Sequence, residues 1–188
     1  MDLLVVIIVD NFSIPAKRVS ESNGLIGTIP TEIGLLDHLA IWGMERGGLT
    51  GPIPTTIAML TNLVFIDLDF NDLTGTLPSE LLALTNLNQL DLNNNRLSGN
   101  IENAGFFPEL DFLQVHANLF TGTVPESIGA YSHLETFTLH QTGIGGIMPA
   151  SVCDLLTGNL TVLVADCLHP DLPDLAVNVS CACCTGCF

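Results

Sequence analysis

The sequence predicts one α/β solenoid built from coils of about 24 residues, each contributing a strand to a parallel sheet. Three observations predict it. Glycines recur at 27, 51, 75, 99, 122 and 146, at intervals of 24, 24, 24, 23 and 24 residues, the mark of stacked supersecondary units. Upstream of them runs Leu-x-x-Leu-x-Leu-x-x-Asn-x-Leu-x-Gly, complete in Leu87, Leu90, Leu92, Asn95, Leu97 and Gly99. Apolar residues make up 47% and charged residues 13% of the 188, yet the longest apolar run, Leu3 to Val9, is far short of the ~20 residues of a membrane helix.

Residues 1–22 precede the repeat. Their apolar run follows Asp2 rather than a basic residue, and three readings stay open: a signal peptide, an apolar strand covering the first coil, or the stub of a longer region. The solenoid covers 23–165 in about six coils. An initial coil near Asn23 keeps its turn, Gly27 to Pro30, but Pro15, Arg18 and Ser20 fall where strand core residues belong. Clear strands are predicted at 40–44, 64–68, 88–92, 111–115, 135–139 and 161–165. Alternation such as Leu90-x-Leu92 turns both leucines inward and the residue between them outward. Trp42 takes a core register. Asn71, Asn95 and Asn118 follow their strands, where an amide side chain can satisfy backbone groups of adjacent coils that would otherwise be buried and unpaired. Glycine at the next turn accepts dihedrals closed to other residues, and the proline three residues on fixes the start of the return path. One coil cannot bury its own leucines, so stacking supplies stability and the ends need caps.

Residues 166–188 read as a cysteine-rich C-terminal cap. Cys153, Cys167, Cys181, Cys183, Cys184 and Cys187 all lie near this end, and an even number in a local cluster points to disulfides and an oxidising compartment. Six cysteines allow 15 pairings, none of which spacing selects. A zinc site in the tail is the alternative, disfavoured by the lack of two separated Cys-x-x-Cys knuckles. Sequons at Asn11, Asn159 and Asn178 agree with secretion.

The repeating unit, continued by Gly-x-x-Pro as in Gly75-Thr76-Leu77-Pro78, resembles the extracellular leucine-rich repeats of plant receptor-like kinases and polygalacturonase-inhibiting proteins over about residues 23–165. The ending, Val162 to Cys167 followed by Cys181 to Phe188, looks more like secreted diatom-type repeat proteins. The resemblance implies a right-handed horseshoe with a concave parallel sheet, irregular or 3₁₀ segments outside, and ligand binding by residues on the strand face. The paired-cysteine N-terminal cap of plant members is missing, as are a membrane helix and a kinase.

In that register the outward columns become readable, because parallel strands stack ~4.8 Å apart. One reads Gly43, Asp67, Asp91, Gln114, Thr138; the next reads Glu45, Asp69, Asn93, His116, His140. The expected binding face comprises Glu45, Phe65, Asp67, Asp69, Phe70, Asp72, Asp91, Phe112, Gln114, His116, Thr138 and His140. Phe65, Phe70 and Phe112 supply outward aromatics of the kind enriched at interfaces. The acids give a solvated patch or a place for a hard cation, and the two histidines lack a third ligand for a transition metal. No metal or cofactor is expected. Four Lys and Arg against twenty Asp and Glu, a formal charge of −16, repel nucleic acid.

The expected function is therefore non-catalytic extracellular recognition of a protein, peptide or glycan. Two rivals remain: a structural or adhesion component associating through its ends, with another chain at the N-terminal end, and an ice- or surface-binding protein using Thr28, Thr76 and Thr123 beside the repeat glycines. Catalysis has no nucleophile and base pair, phosphate loop or complete metal motif behind it.

Overall fold

A computed structural model describes residues 26–102, 107–167 and 179–188. Within these, two sheets of seven parallel strands run the length of the chain, one coil adding one strand to each. The first sheet holds β2 (Ile41–Gly43), β4 (Phe65–Asp67), β6 (Gln89–Asp91), β8 (Phe112–Gln114), β10 (Thr136–Thr138), β12 (Val162–Ala165) and β14 (Gly186–Cys187). Its strands from β2 to β12 sit inside the predicted segments, β14 lies beyond them in the tail, and the register aligns Trp42, Ile66, Leu90, Leu113, Phe137 and Leu163 as one inward row. All six side chains are buried. The initial coil's strand positions, Pro15, Arg18 and Ser20, lie outside the described residues.

The second sheet was not legible in the repeat. It holds β1 (Gly27–Thr28), β3 (Leu49–Gly51), β5 (Asp72–Thr76), β7 (Arg96–Gly99), β9 (Leu119–Thr123), β11 (Gly143–Ile147) and β13 (Val179–Ser180). The chain turns into it through one residue per coil with positive φ: Arg46, Phe70, Asn94, Ala117 and Gln141. Left-handed dihedrals in five ordinary residues cost energy, and what holds them is the position that follows. Asn71 accepts from the N–H groups of Gly47 (3.1 Å) and Leu49 (2.8 Å) and donates to the carbonyl of Met44 (2.8 Å). Asn95 and Asn118 repeat the pattern one and two coils on.

The sequence reading missed the last rung. Where the next coil has Thr142 in place of asparagine, Asp166 accepts from the N–H groups of Gln141 (2.8 Å) and Thr142 (3.0 Å). A carboxylate does the accepting half of the amide's work, and the Thr142 hydroxyl donates to the Leu139 carbonyl (2.7 Å).

On the return path, prolines 30, 54, 78 and 125 precede 3₁₀ turns at Thr31–Leu35, Thr55–Met59, Ser79–Ala83 and Glu126–Ala130, and Pro149 precedes the helix α1 (Ala150–Asp154). Each proline has the extended ψ that starts such a turn and gives up no needed N–H. The core is one continuous apolar cluster from Ile29 to Val179.

The cysteines pair as Cys153–Cys183, Cys167–Cys187 and Cys181–Cys184, which leaves no free thiolate for zinc. They fasten the tail onto the last coil, where β14 extends the first sheet and β13 the second.

Candidate functional site

The outward face of the first sheet carries three columns. The first, Ile41, Phe65, Gln89, Phe112, Thr136 and Val162, and the second, Gly43, Asp67, Asp91, Gln114, Thr138 and Val164, are fixed by strand pairing. Beyond the strands the third, Glu45, Asp69, Asn93, His116 and His140, follows two residues later in each coil.

Exposure differs from the sequence expectation in the middle column. Asp67 and Asp91 are each 6% exposed and Thr138 is buried. Phe65, Phe112, Gln114, His116 and His140 are half-buried. Phe70 is 46% exposed, at the left-handed turn, with the Arg46 guanidinium 5.0 Å from its ring centroid. Such stacking favours a cation over an aromatic face.

Asp72 does not belong to this face. The turn at Phe70 and Asn71 carries the chain round the corner, so Asp72 opens β5 in the second sheet and pairs with Arg96 (3.1 Å).

Burial shapes the acids' chemistry. Desolvation raises Asp91 to about 7, against hydrogen bonds from the Asn93 N–H and side-chain amide that favour its charge, and Asp67 and Asp69 push it further up. Desolvation, then Asp67 and Glu45, raise Asp69 to about 6, with Arg46 opposing. Glu45, Asp67 and Asp69 bring one oxygen each within 4.8 Å of one another; among the described residues this is the grouping able to hold a hard divalent cation.

At the other end three rings stack along the column. His116 lies 4.4 Å from His140, and His140 lies 4.1 Å from the C-terminal Phe188. His116 Nδ1 shares a hydrogen bond with the Thr138 hydroxyl (2.8 Å). Desolvation and the neighbouring His140 lower His116 to about 4; desolvation also lowers His140, with Asp166 opposing. The sequence placed these histidines side by side but gave no sign that Phe188, 48 residues after His140, closes the stack.

The second sheet presents hydroxyls. Thr28, Thr50, Thr74, Thr76, Thr121 and Thr123 are exposed, and the register sets Thr28 beside Thr50 and Thr76 beside Ser98. It also sets Thr50 beside Asp72 and Thr74 beside Arg96, so a charged pair interrupts the hydroxyl array.

The family model for the leucine-rich repeat matches residues 62–84 and 86–105. Among solved structures, the ectodomain of the receptor kinase SOBIR1 from Arabidopsis thaliana is similar at 33% identity and a TM-score of 0.62, over 64% of this chain and 66% of that one. The plant peptide hormone receptor RGFR1, in complex with RGF2, is similar at 28% identity and 0.69, over 81% and 26%. A plant ice-binding protein is similar at 27% identity and 0.68, over 78% and 46%. The chain thus spans from about a quarter to two thirds of the length of these three proteins. No curated protein matches it significantly.

Proposed function

The chain is a leucine-rich repeat solenoid, and we propose that it is a non-catalytic extracellular recognition module whose first-sheet face, the concave side, binds a protein or peptide. The observation that carries this reading is the display of Phe65, Phe70 and Phe112 beside partly desolvated acids on a rigid, repetitive surface. Aromatic anchors ringed by polar groups supply most of the energy at such contacts, and strands hold them with little entropy left to lose on binding. Peptide capture by the similar hormone receptor supports it, as do three disulfides, which suit an extracellular setting. A glycan ligand fits the same polar and aromatic chemistry.

Peptides selected from a displayed library on the immobilised protein test the proposal. Enriched peptides are expected to bind at least tenfold more weakly to a Phe70→Ala, Phe112→Ala variant with an unchanged unfolding midpoint. Equal binding to both proteins would remove this face from consideration.

A second reading, contact with ice, is favoured by the hydroxyl pairs of the second sheet, Thr28 with Thr50 and Thr76 with Ser98, and by similarity to an ice-binding protein. Strand spacing of ~4.8 Å gives the hydroxyl pairs a lattice-like repeat, which the Asp72 and Arg96 pair breaks. Thermal hysteresis that disappears in a Thr76→Lys, Thr121→Lys variant would establish it; none in the parent protein would end it. Association through the N-terminal end remains a third proposal, which sedimentation at rising concentration tests.

A further inference from the structure

We propose that Asn159 carries an N-linked oligosaccharide, on a rim of the solenoid that leaves both sheet faces open. Its sequon, Asn159-Leu160-Thr161, is a local departure from the repeat. In every coil this turn joins the return path to the first sheet, and its third residue is Ala40, Val64, Asn88, Asp111, Glu135 and finally Thr161. Thr161 alone has the hydroxyl that an asparagine-linked acceptor needs two residues on. The asparagine itself recurs in the pattern: Asn62 and Asn86 occupy the same position and donate to the carbonyls of Asp37 (2.7 Å) and Thr61 (2.9 Å) in the preceding coil.

The geometry accommodates a sugar. Asn159 and Thr161 are exposed while Leu160 between them is buried, so the backbone is pinned and both polar side chains project. Asn159 Nδ2 donates to the Ser132 carbonyl at 2.9 Å. An amide nitrogen has two hydrogens; one makes this bond and the other is free to be replaced. In the transfer, the amide nitrogen bonds to the anomeric carbon of a lipid-pyrophosphate-linked oligosaccharide. The anomeric carbon to pyrophosphate oxygen bond breaks, the lipid pyrophosphate leaves, and the nitrogen gives up one proton. The remaining N–H keeps the contact to Ser132, so the modified chain folds as the unmodified one does. Thr161 Oγ1 lies 3.3 Å from the Glu135 carbonyl, an exposed contact whose loss the fold tolerates.

The turn precedes the first-sheet strand of its coil, whereas the corner that holds Phe70 in its own coil and the second-sheet threonines follow that strand. This inference rests on the extracellular setting of the proposed function and not on what the first-sheet face binds. Its test is peptide mapping of the protein secreted from a eukaryotic cell behind a heterologous leader. Cleavage before aspartate yields the peptide Asp154–Ala165, which contains no other sequon. Amidase release in heavy-oxygen water is expected to convert Asn159 to labelled aspartate in the parent protein and in Thr161→Ser, and to leave it unlabelled in Thr161→Ala. Recovery of that peptide unlabelled from the secreted parent, or labelled from Thr161→Ala, would overturn the assignment.

Discussion

Asn95 donates its side-chain amide to the carbonyl of Leu68, 2.8 Å away in the preceding coil. Its oxygen accepts from the Leu73 N–H of the same coil (3.0 Å), so one side chain ties the end of a first-sheet strand to the start of a second-sheet strand. Asn95→Ala is expected to leave the Leu73 N–H buried without its acceptor, while the Leu68 carbonyl keeps its bond from the Asn71 amide (3.0 Å), a loss of about 1–3 kcal/mol, read by urea denaturation. An undiminished midpoint would mean that water replaces the amide.

Gly99 has φ of +80°, and a Cβ there would lie 2.8 Å from Thr76 Cγ2. Gly99→Ala therefore combines backbone strain with a clash, and a loss of about 1–3 kcal/mol is expected. Thr76→Ser removes the offending methyl and should recover part of the loss in the double variant, leaving the dihedral cost. Strict additivity of the two changes would show that the methyl is not the obstacle.

Stability should respond to pH with two opposed contributions. Asp91, lifted to about 7 by desolvation and then by Asp67 and Asp69, with Asn93 opposing, binds more protons folded than unfolded above the ordinary carboxylate range. Its contribution is present at low pH and lost as pH rises through about 7. His116, held down to about 4 by desolvation and then by His140, binds fewer protons folded; its contribution is present above about 6.5 and lost as pH falls through about 4. Asp91→Asn keeps an acceptor for Asn93 and should gain on the order of 1–3 kcal/mol at pH 8, flattening the decline that runs from the ordinary carboxylate range to about pH 7. His116→Gln should flatten the acid decline. Urea midpoints from pH 4 to 8 for the three proteins check both signs.

The cap depends on the bond between Cys153 of α1 and Cys183 of the tail, 30 residues apart. Replacing both by serine is expected to cost about 2–4 kcal/mol and to speed hydrogen exchange in Val179–Ser180 and Gly186–Cys187 before the central coils. Unaltered exchange in those strands would show that their pairing alone holds the tail.

Leucines at 87, 90 and 92, the glycine interval and the asparagines at 71, 95 and 118 were enough to place the first sheet, its register and its core, because a repeat that must bury one apolar row per coil has little choice of path. The outward columns followed from the same alternation. Exposure within them did not: nothing in the sequence distinguishes buried Asp67 from half-buried Asp69 two residues on, since burial depends on which groups the stacked coils bring around each carboxylate.

The amino-acid order by itself determined the coil length, the inward row, the asparagine ladder and the cysteine-rich end. Tertiary structure alone decided the cysteine partners, the second sheet with Asp72 on it, the Asp166 rung and the stacking of Phe188 on His140. Periodicity specifies contacts between residues one coil apart, where each position meets its own equivalent. It says nothing of contacts between unlike positions or across the aperiodic tail, which exist only once the stacked coils bring those groups together.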